Sequence, residues 1–313
     1  MQPLIVIIGP TAVGKSALGV ELALTINGEI ISGDSVQVYK KLDIGSAKPT
    51  QAEKKDVPHH LIDVLDPAEP FTAATFQAKA KELIETIRAQ GKVPIIVGGT
   101  GLYIRALLDG FDFPEEGSDQ IKSKWLEFVK NNGNCELYKE LAACDPVSAG
   151  KLHYNDTARI IRALEVFELT GKPLSEQRSY KEKDYPDLDA SIFYLGLTAP
   201  REIIYERINQ RCQQMLNYGI IDETMGLLSE GYSRNLKSLQ SIGYRHVIDY
   251  LRGLVTKNEM LRLMQRDTRH FAKRQLTWFR RDPRITWYDI TNWSINAICA
   301  DICHTLNLHS ESN

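Results

Sequence analysis

The sequence predicts an α/β protein whose core is a parallel sheet flanked by helices, with an all-helical lobe inserted into it. Three observations carry that prediction. Short apolar runs rich in β-branched residues recur at Leu4–Ile8, Val93–Val97 and Ala190–Leu197, and segments with helical spacing separate them. Gly9 to Ser16 reads GPTAVGKS, a full match to GxxxxGK[ST], placed directly after the first run and before the first helical segment. The core is therefore expected to be P-loop NTPase-like.

Each element has its own warrant. Leu4-Ile-Val-Ile-Ile8 is apolar on both faces and stops at Gly9, as suits a central parallel strand. Lys15 to Ile26 has helical composition and ends at Asn27-Gly28, a favourable C-cap pair, after which Glu29 to Ser32 reads as a second strand. Phe76 to Gln90 places Ala80, Leu83, Ile84 and Ile87 at helical spacing and stops at Gly91. Val93 to Val97 follows as a buried strand with Pro94 near its start. The next strand candidate, Ala190 to Leu197, lies roughly ninety residues on, too far for a plain connection. Between them, Gln120–Lys130, Leu137–Cys144 and Asn155–Leu169 read as helices, so residues 113–188 form the inserted lobe, Phe113 to Leu188, and residues 1–112 with 189–313 the core. The last residues, Ser310 to Asn313, are expected to fray.

Composition narrows the class. A chain of 313 residues with 43% hydrophobic and 25% charged residues is an ordinary globular protein, which excludes collagen-like, low-complexity and wholly disordered chains. The net charge of −2 supplies no global basic field, so any nucleic-acid binding must rely on a local patch. Five cysteines, with no CxxC, argue against a disulfide framework and a structural zinc site and for a reducing compartment. Cys299, Cys303 and His304 read as one side of an amphipathic helix rather than a metal site. The N-terminus has neither a basic leader nor an apolar stretch of spanning length, so a cytoplasmic protein with no membrane association is expected.

The glycine loop binds phosphate for physical reasons. Its glycines let the backbone curl so that N–H groups point inward, the following helix N-terminus adds positive potential, Lys15 brings a mobile charge and Ser16 can ligate Mg²⁺. The loop alone does not define the reaction, because kinases, motors and group transferases share it. A hydrolytic ATPase carries an Asp at the end of an apolar strand, whereas Val93–Val97 runs into Gly98-Gly99-Thr100-Gly101. The well-placed acid is instead Asp34, just after the second strand at the carboxyl edge of the sheet. A catalytic carboxylate and a turn-capping aspartate explain Asp34 equally well at this point. His59-His60 reads as structural.

Leu261 to Arg284 contains eight basic residues and two acids, a local charge of +6. As one helix it would gather Arg262, Arg266, Arg269, Lys273 and Arg280 on one face, with Met264, Phe271 and Trp278 opposite. A phosphate-facing stripe is the favoured reading over a solvated face paired with acids. Arg159 and Arg162, on a helix of the insertion, are a second basic candidate.

Seven segments in order, GPTAVGKS at 9–16, ISGDSVQVYKKLDIGSAKP at 31–49, PHHLID at 58–63, VGGTGLY at 97–103, NDTARIIRALEVFELTGKP at 155–173, QSIGYR at 240–245 and RQLTWFR at 274–280, closely resemble the tRNA dimethylallyltransferases, or tRNA isopentenyltransferases. The resemblance covers nearly the whole chain and fits the short bacterial form without a C-terminal zinc finger. It implies transfer of a dimethylallyl group from dimethylallyl diphosphate to N6 of adenine 37 in tRNAs that read codons beginning with U, releasing diphosphate. By motif it makes Asp34 the general base and places Thr100 at the reacting centre. It assigns the diphosphate and Mg²⁺ to Gly9, Pro10, Thr11, Ala12, Val13, Gly14, Lys15 and Ser16, with Arg211 as a further cation on the leaving group. It assigns tRNA contacts to Asp34, Ser35, Val36 and Gln37, to Ala158, Arg159, Ile160, Ile161 and Arg162, and to Gln240, Ser241, Ile242, Gly243, Tyr244 and Arg245. The implied partners are the tRNA anticodon stem-loop, clamped by the helical lobe, and dimethylallyl diphosphate, with the protein acting as a monomer.

The chemistry agrees with that assignment. An exocyclic amine is a poor nucleophile and an allylic carbon ionises readily, so the enzyme must place N6, neutralise departing charge and accept a proton. A base in an anticodon loop must also leave its stack to enter a pocket. Alternative readings are a small-molecule P-loop kinase, an isopentenyltransferase acting on free adenine nucleotides, and a nucleotide-sensing RNA-binding switch. The basic stripe and QSIGYR are unexplained by the first, and the large insertion by the second.

Overall fold

The computed structural model describes residues 2–111, 117–177 and 192–311. In chain order the elements are β1 (Leu4–Ile8), α1 (Lys15–Ile26), β2 (Gly28–Gly33), α2 (Gln51–Lys54), β3 (His59–His60), α3 (Ala73–Ala89), β4 (Val93–Gly98) and α4 (Gly101–Asp109). Then come α5 (Asp119–Asn132), α6 (Asn134–Cys144), α7 (Pro146–Ala149), α8 (Thr157–Thr170), α9 (Leu174–Gln177), β5 (Ile192–Thr198) and α10 (Arg201–Asn217). The chain continues through α11 (Ile220–Ser229), α12 (Tyr244–Leu251), α13 (Lys257–Phe279), β6 (Thr286–Asp289) and α14 (Ile295–Glu311). Phe113, Leu188 and Ala190, which bound expected segments, lie outside the described residues.

The six strands form one sheet in the order β3-β2-β4-β1-β5-β6, and every pairing is parallel. This is the expected P-loop NTPase-like arrangement. β1 lies between β4 and β5, with Ile5 opposite Ile95 and Phe193, and all five of its residues are buried. Burial on both faces is what its unbroken apolar run requires. Parallel strands all point the same way, so the glycine loop after β1, the turn after β2 and the Gly99-Thr100 exit of β4 emerge at one edge of the sheet.

α1 begins at Gly14, whose φ of +106° admits no ordinary side chain, and ends at Asn27 in the left-handed conformation with its N–H on the Ala23 carbonyl. Its burial extends beyond the sheet because α14 covers it: Ile298, Cys299 and Ile302 share a core cluster with Leu18, Val20 and Leu22. Cys299 is thus a packing residue, and no group of three or more potential metal-ligating side chains occurs among the described residues.

One boundary changes and one strand is added to those expected. α3 starts at Ala73 rather than Phe76, because Thr72 Oγ1 caps it by accepting from the Thr75 N–H at 3.1 Å. β6 was not among the expected strands, and it ends in an acid, Asp289. That carboxylate accepts from Thr291, and its strand is separated from β1 by β5, so it does not occupy the place of a hydrolytic aspartate. Of the last residues, Ser312 and Asn313 lie outside the described residues.

The chain divides into two compact units, residues 1–107 with 185–313 and residues 108–184. The second is all-helical among its described residues. Trp125, Leu137, Leu141, Ile160, Ile161 and Leu164 form its core. Asp145, fully buried, accepts from the Ser148 and Ser175 N–H groups, both at 2.9 Å, and so ties α7 to α9. No helix among the described residues is long and apolar enough to cross a membrane.

Candidate active site

A cavity of about 380 Å³ opens at the carboxyl edge of the sheet. Its floor comes from three loops. From the glycine loop, Thr11, Lys15 and Ser16 line it, while Gly9, Pro10 and Val13 are buried behind it and shape the backbone. Ala12 takes a left-handed φ of 65° to complete the curl. Lys15 Nζ donates to the Pro10 carbonyl at 2.8 Å. The Thr11 N–H is already committed, to Gln275 Oε1 at 2.8 Å, so only the threonine's hydroxyl is left to face the cavity.

A second cation approaches from α10. Arg211 Nη1 donates to Thr11 Oγ1 at 3.3 Å, and Arg211 lines the same cavity. Burial, reinforced by the Arg211 charge, lowers the Lys15 ammonium to about 7, while Asp34 pulls it the other way. Burial also lowers Arg211. Two cations held together out of water form a site short of negative charge.

The same cavity carries an acid, Asp34. Asp34 Oδ1 accepts from the Val36 N–H at 2.8 Å and the Gln37 N–H at 3.2 Å, so the turn-capping role is real. Its other oxygen takes no hydrogen bond among the described residues, and the residue lines the cavity with Ser35, Val36 and Gln37. One carboxylate can therefore cap the turn through one oxygen and face a ligand through the other. Thr100 sits beside it, because its N–H donates to the Gly33 carbonyl at 3.3 Å.

Sequence reasoning missed Glu223 on α11. Its carboxylate accepts from the N–H groups of Asp43, Ile44 and Gly45 at 2.8–3.1 Å and from the Tyr244 hydroxyl at 2.6 Å. This fixes the segment leading to Ser46 and Ala47, which also line the cavity. Tyr244 is fully buried, its ring so close to Gly45 that a Cβ there would lie 2.5 Å away. The residues of the implied tRNA contact at 240–245 differ in placement. Gln240, Ser241, Ile242 and Arg245 line the cavity, whereas Gly243 and Tyr244 are buried supports for the segments around them.

The residues of the implied contact on α8 differ in the same way. Ile160 and Ile161 point into the core of the helical unit and offer no surface, leaving Ala158 and Arg159 exposed and Arg162 half-buried against Glu165 at 2.7 Å. Arg159 pairs with Asp156 at 3.0 Å.

On the stripe of α13, three of the five cations have partners within the protein. Arg262 forks onto Glu259 with bonds of 2.7 and 2.6 Å, Arg266 donates to Asp267 at 2.8 Å, and Arg269 donates to Asn209 at 2.7 Å. The cavity is lined instead by Met264, Thr268, Phe271, Arg274 and Gln275, so the apolar face expected in the core borders the site. Asp267 also receives Arg245 at 2.6 Å and His246 at 3.1 Å. Burial would raise this carboxyl, but the bonds from Arg266, His246 and Arg245 outweigh it and hold Asp267 well below the usual range. His59 and His60 are structural, as expected: His60 pairs with buried Glu29 at 2.7 Å, and Lys92 takes the other Glu29 oxygen at 2.5 Å.

The cavity thus joins a pair of cations at the glycine loop, a carboxylate and the apolar side chains of Met215, Met264 and Phe271. Comparison with known proteins agrees with that chemistry. The chain is 62% identical over 305 residues to a tRNA dimethylallyltransferase of Desulfitobacterium hafniense, covering 97% of both chains. It is 49% identical to the tRNA dimethylallyltransferase of Carboxydothermus hydrogenoformans over 96% of each. Among solved structures it is similar to a tRNA isopentenylpyrophosphate transferase of Bacillus halodurans, with a TM-score of 0.72, 40% identity and 99% of each chain covered. It also resembles a eukaryotic dimethylallyltransferase acting on tRNA, with a TM-score of 0.80 and 29% identity over 99% of this chain and 80% of that one. The family model described as IPP transferase matches residues 37–282, and the chain belongs to the IPP transferase family.

Proposed function

We propose that this protein transfers a dimethylallyl group from dimethylallyl diphosphate to N6 of adenine 37 in the anticodon loop of tRNAs reading codons that begin with U. The observation that carries the proposal is that one cavity is lined by two cations, Lys15 and Arg211, and by a carboxylate, Asp34, with Thr100. The adenine N6 lone pair forms a bond to the allylic carbon while that carbon's bond to the diphosphate oxygen breaks. The bonding pair leaves with diphosphate, and the N6 proton passes to Asp34. Lys15 and Arg211 meet the charge that develops on the leaving oxygen, as pre-oriented cations do in a site poor in water. The apolar flank suits the methyl groups of the prenyl tail and gives water little hold on an allylic cation.

Prenyl diphosphate transfer is consistent with a divalent metal, and Mg²⁺ is proposed here. The donors fit a hard cation: Ser16 lines the cavity, and among the described residues no cage of three acids or imidazoles competes with substrate oxygens. When bound, Mg²⁺ would neutralise and orient the diphosphate. A monomer goes with this reading. The helical unit, with exposed Arg159, is assigned to gripping the anticodon stem, and a cytoplasmic location goes with this reading.

The test is a transfer assay with labelled dimethylallyl diphosphate, Mg²⁺ and an unmodified anticodon stem-loop, run beside the stem-loop carrying guanine at position 37 and beside free AMP. Label on adenine 37 alone is expected. Label on AMP alone would move the protein to free-nucleotide prenylation, and label on neither would refute prenyl transfer.

A further inference from the structure

We propose that Gln275 is a positioning residue for the transfer reaction, its one amide fixing the leaving-group wall of the cavity against the wall that carries the acceptor chemistry. The inference rests on the function proposed above. Gln275 lies on α13 and is 6% exposed. Its Oε1 accepts from the Thr11 N–H at 2.8 Å, and its Nε2 donates to the Gly99 carbonyl at 2.9 Å.

Both partners lead directly to groups with proposed chemistry. Thr11 belongs to the phosphate loop and accepts from Arg211 through its hydroxyl. Gly99 precedes Thr100, whose N–H donates to the carbonyl of Gly33, the residue before Asp34. A single amide therefore closes a chain of bonds from the Arg211 and Lys15 side of the cavity to the Thr100 and Asp34 side. Parallel strands do not supply this link by themselves, since the exits of β1 and β4 share no hydrogen bond beyond the sheet among the described residues.

The geometry is specific to an amide. A Cβ at residue 99 would lie 2.2 Å from Gln275 Nε2, so glycine at that position leaves room for the side chain. A carboxylate would keep the bond from Thr11 but turn a lone pair toward the Gly99 carbonyl. An apolar side chain would leave a buried N–H and a buried carbonyl both unpaired. The amide is also carried by a fixed support. Met260, Met264 and Ala272 of α13 pack in one cluster with Ile204, Ile208 and Cys212 of α10, the helix that bears Arg211. Gln275 and Arg211 therefore reach the phosphate loop from one packed helix pair.

The experiment compares wild type, Gln275→Met and Gln275→Glu in steady-state transfer to the stem-loop, with both substrates varied. Thermal melting and amide hydrogen exchange of the segment containing Thr11 are followed in parallel. A displacement on the ångström scale between reacting groups lowers rate by about 100-fold, so both variants are expected to lose kcat on that order while KM for each substrate stays within about five-fold. Exchange at Thr11 should rise in Gln275→Met and stay slower in Gln275→Glu, which keeps the acceptor. A Gln275→Met variant that folds and retains kcat within about three-fold of wild type overturns the proposal, as does a loss carried by KM alone. A Gln275→Met variant that fails to fold leaves Gln275→Glu to decide on the same criteria. Wild-type protein that moves no label to RNA would instead remove the underlying function, so the two failures are distinct.

Discussion

Arg211 donates to Thr11 Oγ1 at 3.3 Å from a position two hundred residues further along the chain, and so stands over the same loop that carries Lys15. Their mutual repulsion, added to burial, lowers Lys15 to about 7 in the ligand-free site. A bound diphosphate reverses the balance by pairing with the ammonium. Lys15 should therefore take up protons on binding, and more so as pH rises through its lowered value. Calorimetry of inorganic diphosphate in buffers of different ionisation heat measures the net exchange, and the same titration of Lys15→Arg subtracts the protons that diphosphate itself releases. Equal net exchange by wild type and Lys15→Arg at pH 7 and 8 would mean that Lys15 is fully charged before binding.

Asp34 has two separable duties, and its two oxygens divide them. Asp34→Asn keeps an Oδ1 acceptor for the Val36 and Gln37 N–H groups but cannot accept the N6 proton. General-base catalysis is worth about 100- to 10,000-fold, so this variant should fold normally, bind RNA within several-fold of wild type and transfer slowly by that factor. Asp34→Ala should add a modest loss of stability from the uncapped turn. Single-turnover transfer by Asp34→Asn at near-normal rate would reduce Asp34 to its turn.

What the sequence displayed and what it hid follow from how each feature is encoded. Local, repeating signals were legible: the buried runs of β1 and β4, the Asn27-Gly28 cap of α1 and the glycine loop each depend on neighbours in the chain. Site residues inside motifs, such as Lys15 and Asp34, were legible for the same reason. Glu223 and Gln275 were not, because each satisfies backbone groups more than 170 residues away, and no periodicity marks a side chain chosen for a distant carbonyl. Helical spacing sorted the residues of α13 into faces without saying which face borders the cavity. Tyr244, Ile160 and Ile161 sit in recognisable motifs yet are buried, since a motif mixes residues that touch a ligand with those that hold them in place.

The cations of α13 differ in what surrounds them. Arg262 and Arg266 pair with Glu259 and Asp267 away from the cavity lining, whereas Arg274 lines the cavity, as does Arg245, which also bonds Asp267. Each cation that meets a phosphate contributes about 0.9 to the slope of log affinity against log salt for a duplex and about 0.7 for a single strand. Arg274→Gln should weaken stem-loop binding and flatten that slope by roughly one such increment. The double change Arg262→Gln and Arg266→Gln should leave the slope nearly unchanged. Filter binding or anisotropy over a salt series reads both, and the reverse ranking would restore the outer face of α13 as the phosphate contact.

Gly33 and Gly98 are register partners at the last step of the β2–β4 ladder, immediately before Asp34 and two residues before Thr100. The strands approach so closely there that a Cβ at residue 98 would lie 2.4 Å from the Gly33 carbonyl oxygen, which also accepts from the Thr100 N–H. The clash is with backbone, so it cannot be relieved by a rotamer change. Gly98→Ala should destabilise the fold by about 1–3 kcal/mol, the usual cost of overpacking, and should slow transfer as well because the displaced carbonyl holds Thr100. Gly226→Ala, in the middle of α11 with nothing within 4 Å of the new methyl, should instead be neutral or stabilise by up to about 1 kcal/mol with no effect on transfer. Opposite signs in urea unfolding, with the rate loss confined to Gly98→Ala, would tie the close approach of β2 and β4 to the geometry of the site. Equal stabilities would mean that the two strands can separate there without cost.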